Sequence, residues 1–373
     1  MTKNSMRNKL NKTDGKYRST PKDLEVRGTF AQAPAPPKEE PRPPTPEEMR
    51  GNNISAVEYG RMVFAMWNWV PMFVAELEEM NRGKVGRPYG FPDSLIIWIL
   101  RVMALTGLSF RLVSGLSSSI MALFGFPSPS YSRLQERAAL IGEGIAGETV
   151  QQGLRQGVFA VVACGNVSER VRSVGIDSTG LNLSSTSLWR KRKWNTGPKD
   201  LGWLKLHALS DVDSGEIIAY AVTDDSVGDA PLLRVLVGAA SEKGHRFGTV
   251  YADGAYSSND NWIYLCRENG YRFVTSFRSN TRPTKNGCQA RGEAARLWCS
   301  LPYREWKKVS GYGKRWKCEG VFSDFKRFLG EVVTNRSKAG MLAQIASKIL
   351  TFNEYKVTRA GIIGITGNEV ALA

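Results

Sequence analysis

Three acids in this sequence fall where chemistry is done. Asp177 closes the apolar run 172–177, and Asp253 closes the run 248–253. Gly254 and Ala255 follow the second acid, which lets the backbone approach a bound ion. In an open α/β sheet, ligands gather beyond the strand ends, so two acids at such ends can share one cleft. The same pattern also serves plain turns, where Asp is a common former. Glu319 adds a different kind of signal. Read as a helix at about 100° per residue, the segment 312–330 sets Tyr312, Arg315, Glu319 and Lys326 on one narrow stripe. Val321, Phe322, Phe325, Phe328 and Leu329 fall on a separate apolar face. One face is built to bury against a sheet. The other presents a carboxylate flanked by cations.

The chemistry open to these acids is narrowed by what the chain lacks. It has two histidines, His207 and His245, and five cysteines, no two of which form a C-x-x-C pair. A disulfide framework or a structural zinc site is poorly supplied. Any metal must lean on carboxylates, which points to a hard ion such as Mg²⁺. Lys and Arg total 51 against 35 Asp and Glu, a net charge of +16. Such a balance calls for a polyanionic partner, nucleic acid first and an acidic membrane surface second.

Much of that charge sits in 276–317, with eleven Lys or Arg and two acids. Phe277, Trp298, Tyr303, Trp306, Tyr312 and Trp316 are interleaved with them, a combination that suits phosphate and base contact. The loop 188–194 holds Arg190, Lys191, Arg192 and Lys193 between two tryptophans, and reads as a DNA-contacting loop or a solvated hairpin tip.

The elements that must position these groups are legible in outline. Residues 1–50 form a basic, then proline-rich, disordered tail, read as a solvated extension or as an arm adding nonspecific DNA affinity. Residues 52–150 are helical. A helix capped by Asp93 runs to Gly107, a second spans about 109–124, and a third begins at "SYSRLQER" with Arg133 and Arg137. This layout fits a helix-turn-helix-like DNA-binding module or a plain bundle. The segment 83–90 is a surface loop or an arm placing Arg87 in a minor groove. The most apolar segment, 94–110, carries Arg101 and Gly107 and reads as a core helix. Residues 1–30 lack an apolar h-region, so a cytoplasmic, nucleoid-associated protein with no membrane partner is expected. From 171 onward, strands alternate with helices: a hairpin over 203–223, a helix over 230–244, a strand ending at Asp253, a capped helix over 258–271 and the strand "RFVTSF". That is an α/β layer fold with a mixed sheet.

The stripe Tyr312-x2-Arg315-x3-Glu319-x6-Lys326 resembles the signature around the third acid of DDE transposases of prokaryotic insertion sequences. "GIDST" at Asp177, "KLHALSD" at 205–211, "DDSVGDAPLL" at 224–233 and "YADGAYSS" at 251–258 are similar to that family as well. The acids follow one another after 76 and 66 residues, in the family's order. The likeness covers 170–355 well and 85–145 loosely.

The resemblance implies an α/β, RNase H-like mixed-sheet catalytic domain at 170–355, preceded by an all-helical helix-turn-helix-like domain. It implies two Mg²⁺ ions, with Mn²⁺ able to substitute, held by Asp177, Asp253 and Glu319. Two ions about 3.5–4 Å apart suit phosphodiester chemistry, because they clamp the attacking and leaving oxygens in line. The implied reaction cuts the element's end to leave a 3′-hydroxyl, which then attacks target DNA. Arg315 and Lys326 would hold flanking phosphates, Tyr312 would stack or hydrogen-bond near the scissile phosphate, and Lys205 and His207 would reach DNA from one strand face. His207 suits a structural or phosphate-donor role better than that of a metal ligand in so oxygen-rich a site. The implied partners are terminal inverted repeats, target duplex and a second copy when assembled on DNA. A metal-dependent nuclease without strand transfer and a catalytically silent DNA-binding derivative are the alternatives.

Overall fold

The structure, a computed structural model, describes residues 69–151, 157–184, 203–283 and 287–359. The tail 1–50 and the cations Arg190, Lys191, Arg192 and Lys193 lie outside these residues.

Four helices open the described chain: α1 (Val70–Asn81), α2 (Asp93–Thr106), α3 (Phe110–Ala122) and α4 (Tyr131–Gln151). The apolar positions of α2 bury Leu95, Ile96, Ile99, Leu100 and Met103 against Phe73, Val113 and Leu134. It is a core helix, as its composition suggests. No single helix among the described residues is long and apolar enough to cross a membrane. Helix α2 ends where Gly107 takes φ 68°, and α3 leaves at 118° to it, within the usual range of helix-turn-helix pairs. The cap of α2 differs from expectation. Pro92 occupies the cap position, so Asp93 already lies in the first turn. Glu76 on α1 accepts from Asp93 N (3.1 Å) and Ser94 N (3.3 Å) instead, while the Asp93 carboxylate pairs with Arg137.

The rest of the described chain is built on one sheet. Its strands are β1 (Val158–Ala163), β2 (Val171–Leu183), β3 (Trp203–Asp211), β4 (Ile217–Thr223), β5 (Arg246–Ala252), β6 (Arg272–Thr275) and the short β7 (Val332–Val333). Their order is β1-β4-β3-β2-β5-β6, with β7 beside the end of β2. The pairs from β1 to β2 are antiparallel, and β2-β5 and β5-β6 are parallel. This is the mixed α/β sheet expected of an RNase H-like domain. The β3–β4 hairpin turns on Asp211, whose carboxylate accepts from Asp213 N at 2.8 Å and Ser214 N at 3.3 Å.

Helices cover both faces, so alternate residues of the central strands are apolar toward different partners. On one face α5 (Ala230–Glu242) buries Leu232, Leu233, Leu236 and Val237 with Val174, Ile176 and Leu209. On the other, α9 (Trp316–Leu329) and α10 (Lys338–Arg359) bury Phe322, Phe325, Ile345 and Phe352 with Leu181 and Leu206. Helix α10 also reaches the helical core through Ala343 and crosses α4 where a Cβ on Gly142 would overlap the Ala339 carbonyl. In chain order between β5 and α9 come α6 (Asn259–Trp262), which continues as a π-helical turn (Ile263–Glu268), then β6, α7 (Gln289–Ser300) and α8 (Tyr303–Ser310).

Two sequence expectations are corrected. Strand β2 does not stop at Asp177, because its antiparallel pairing with β3 continues to Asn182↔Trp203. The interleaved aromatics of 276–317 are mostly core. Phe277, Trp298, Trp306 and Tyr312 are buried and linked through ring contacts of 6.2, 4.5 and 4.9 Å. The short helices turn their rings inward, and only Tyr303 and Trp316 of this set are exposed.

Candidate active site

The last rung of the β2–β5 ladder is Ile176↔Ala252, so Asp177 and Asp253 are the next positions on neighbouring parallel strands. Such strands lie about 4.8 Å apart. Asp177 stays in β2, its carboxylate accepting from Ser178 N at 2.9 Å. Asp253 leaves the sheet into the 3₁₀ turn Gly254–Tyr256, its carboxylate accepting from Gly254 N. The Thr275 hydroxyl on β6 donates to the Asp253 carbonyl at 2.8 Å and holds this exit in place.

The third acid arrives from α9, which packs its Cys318 sulfur onto Gly175 of β2. Glu319, the next residue, pairs with Arg315 at 2.7 Å. The Arg315 guanidinium lies over the Tyr312 ring at 5.4 Å, and Tyr312 Oη donates to Ser276 Oγ at 3.2 Å. Tyr312 and Arg315 belong to a 3₁₀ turn that precedes the α-helix.

The stripe read from the sequence thus splits by function. Arg315 and Glu319 face each other. The Tyr312 ring is buried against Trp306, so it supports Arg315 and has little surface left for a duplex. Lys326, about 10 Å along the helix from Glu319, pairs with Glu331 at 3.1 Å.

The electrostatics bind the three acids into one system. Burial raises the Asp177 pKa, and the negative charges of Glu319 and Asp253 add to the rise, against the Ser178 N–H and Arg315. Burial works against the Arg315 charge, but Tyr312, Glu319 and Asp253 outweigh it and raise its pKa. Among the described residues no three acidic, imidazole or thiol groups converge on one ion-sized point, since Glu319 is turned toward Arg315. The donor set nonetheless fits a hard divalent ion. All three groups are carboxylates, Asp253 is exposed, Asp177 and Glu319 are partly so, and their mutual repulsion is what such a cation relieves.

A second polar group lies on the opposite face of the sheet, and the sequence reading did not assemble it. Asp229, at the N-terminus of α5, pairs with Lys205 Nζ at 2.6 Å and lies 3.3 Å from His207 Nδ1. His207 Nε2 is 3.1 Å from the Thr223 hydroxyl. Burial holds the pKa of the Tyr256 phenol well above the usual tyrosine value, and Asp229, Asp177 and Asp253 add to the rise. The expectation that His207 reaches DNA is corrected: the ring has no exposed surface, because β3 turns it under α5. Lys205 keeps a partly exposed stem, with its ammonium committed to Asp229. The one available signal was Asp229 itself, inside the "DDSVGDAPLL" segment.

This burial has a pH consequence. Desolvation lowers the His207 pKa from 6.5 to about 4, with Asp229 opposing and Lys205 assisting. Between those values the unfolded chain binds the extra proton, so stability rises with pH across this window and is lost as pH falls through it. The contribution is about 3 kcal/mol when complete. Thermal unfolding from pH 4 to 7 is expected to show a shallower slope for His207→Gln than for the wild type. Equal slopes would show that the histidine is not buried neutral.

Of the expected DNA contacts in the helical part, Arg133 is exposed and pairs with Glu136 at 2.8 Å, and Arg137 is held by Asp93.

Comparison with curated proteins gives no match. Two family models do match, each described as a transposase DDE domain. One covers residues 173–353 and the other residues 60–186. The first spans all three acids and both flanking helix layers. The second runs from the helical part into β2. Together the two matches span residues 60–353, and on their strength the chain belongs to the DDE-type transposases.

Proposed function

We propose that this transposase cuts and joins the ends of its own insertion sequence, with Asp177, Asp253 and Glu319 as the ligands of two Mg²⁺ ions. The observation that carries this reading is that Asp177 and Asp253 directly follow the last β2–β5 rung, while Glu319 follows Cys318, whose sulfur packs on Gly175 two residues before Asp177. When bound, the ions supply activation of the attacking oxygen and stabilisation of the leaving one. The chain supplies the rest. Glu319 would hold an ion in place of Arg315, which would leave the guanidinium free to grip a flanking phosphate in a bidentate manner. Tyr312, anchored by Ser276, keeps that guanidinium on the site side of α9. Lys326 sits two turns further on and holds phosphates away from the cut. Mn²⁺ serves in place of Mg²⁺.

The duplex is tracked by cations on α8, the turn after it and the start of α9, where Arg304, Lys307, Lys308, Lys314 and Lys317 are exposed. Arg133 extends this contact from the helical part, and Arg190, Lys191, Arg192 and Lys193 from the segment that follows β2 in the chain. Two copies assemble on DNA, since two ends must be joined. Binding is expected to weaken by about 10³-fold or more between 50 and 200 mM salt, as for a protein that neutralises six or more phosphates. A flat response in a fluorescence-anisotropy titration would count against this surface. The activity is tested with a labelled duplex carrying the element's terminal repeat and a supercoiled target. The expected product is a Mg²⁺-dependent 3′-hydroxyl end joined to the target. Cleavage without joining would support a nuclease instead, and no cleavage would refute both.

A further inference from the structure

We propose that Gly175 and Cys318 act as a positioning pair, setting the height of α9 over β2 and through it the placement of Glu319 against Asp177. The proposal rests on the reading of those two acids as catalytic.

Glycine is a poor strand residue, and in a strand interior it often marks the close approach of another segment. Gly175 sits in the middle of the central strand, fully buried, and its φ is not in the left-handed region. Its backbone therefore does not require glycine. Its surroundings do. A Cβ at this position would overlap the Cys318 sulfur, and the Cys318 Cβ is only 3.3 Å away. The next nearest atom, the Tyr251 carbonyl oxygen at 3.6 Å, would be in ordinary contact. The thiol thus occupies the volume that a side chain on β2 would fill. The knot extends to β3, where Ser210 Oγ donates to the Gly175 carbonyl at 3.4 Å.

The consequence follows from spacing. Side chains alternate along a strand, so Asp177 lies on the same face as Gly175, two residues on. Glu319 is the residue after Cys318. Any lift of α9 at this contact is passed directly to the separation of the two acids. The far half of α9 is fixed independently, because Phe325 and Leu329 are buried with Leu181, Phe352 and Ile349. A bulkier strand residue would therefore tilt the helix about that anchor. Carbon–sulfur contact needs roughly 3.5–4 Å, so the acid-bearing end must rise by more than about 1 Å.

The test is Mg²⁺-dependent cleavage of the labelled end, read as rate and as the Mg²⁺ concentration at half-maximal rate. Gly175→Ala is expected to cleave about 100-fold more slowly, the scale set by misplacement of about 1 Å, and to need more Mg²⁺. Its nonspecific DNA binding is expected to persist. Adding Cys318→Ala removes the sulfur and leaves a contact that a shift of a few tenths of an ångström relieves, so the double variant is expected to recover to within about tenfold of wild type. Cys318→Ala alone is expected to lose less than about tenfold, since a small void replaces the thiol.

Wild-type cleavage rates in Gly175→Ala would overturn the proposal. A double variant that folds but stays as slow as Gly175→Ala would overturn it too. Should Gly175→Ala fail to fold, the double variant decides alone: recovered folding and cleavage support the pair, and their absence overturns it. A wild-type protein without Mg²⁺-dependent cleavage would instead sink the catalytic reading beneath it.

Discussion

Asp177→Asn is expected to lose about four orders of magnitude in cleavage rate while gaining stability in the absence of metal. Both effects come from one charge. Asparagine keeps the size of the side chain and an oxygen able to accept from Ser178 N, so β2 is undisturbed. What it loses is a hard anionic ligand. Removing a metal ligand forfeits several kcal/mol of transition-state stabilisation, and about 5 kcal/mol corresponds to nearly 10⁴ in rate. The stability effect has the opposite sign. The Asp177 pKa is raised in the fold, first by burial and then by Glu319 and Asp253, so its charged form destabilises the native state at neutral pH. Neutralising it relieves that cost, as is common where function stores unfavourable charge. Glu319→Gln is expected to lose activity similarly, because it too removes a hard anionic ligand. Cleavage within tenfold of wild type by either variant would remove the proposed mechanism. A fall in the melting temperature of metal-free Asp177→Asn would show that the acid is structural.

Arg101→Ala is expected to destabilise the protein by about 3–5 kcal/mol, the cost of stranding one member of a buried ion pair. Arg101, on α2, is 3% exposed and pairs with Glu354 on α10. Its guanidinium also lies over the Trp69 ring at 4.7 Å. Burial lowers its pKa to about 10, which still leaves it charged at neutral pH. Truncation would leave Glu354 with its charge unmatched and would open a cavity where α2 meets the helix that also closes the sheet. The discriminating comparison is Arg101→Met with Glu354→Leu, which strands no charge and is expected to recover most of the loss. Urea unfolding reads both. A loss below about 1 kcal/mol for Arg101→Ala would mean that the pair is solvated, as exposed ion pairs are.

The parts of this protein legible in its sequence are those that depend on local pattern. The apolar face of α9 is buried at Val321, Phe322, Phe325 and Leu329, as helical spacing requires. The β3–β4 hairpin and the helix after Ala230 follow from alternation and turn residues. What escaped was set by partners distant in the chain. Strand β2 continues past Asp177 because β3 offers backbone to pair with, and an acid in the middle of a strand looks the same in sequence as one at its end. Glu76 caps α2 across a helix interface, a contact with no sequence signature at either residue. The tryptophans of the basic segment alternate with cations both in a core helix and on a stacking surface, and only the packing of Trp298 on Trp306 separates the two. For the site, residue types and order were readable. The burial of Tyr312 and the Asp229 group were not, since each depends on packing between segments distant in the chain.

The central claim is that Asp177, Asp253 and Glu319 gather divalent ions at one point of the sheet. Anomalous diffraction from crystals of the full chain with a short DNA end and Mn²⁺ measures this directly. The account predicts two peaks about 3.5–4 Å apart, each touching Asp177 and at least one of the other acids, with Glu319 released from Arg315. Peaks elsewhere, or none at an Mn²⁺ concentration that supports cleavage, would contradict it.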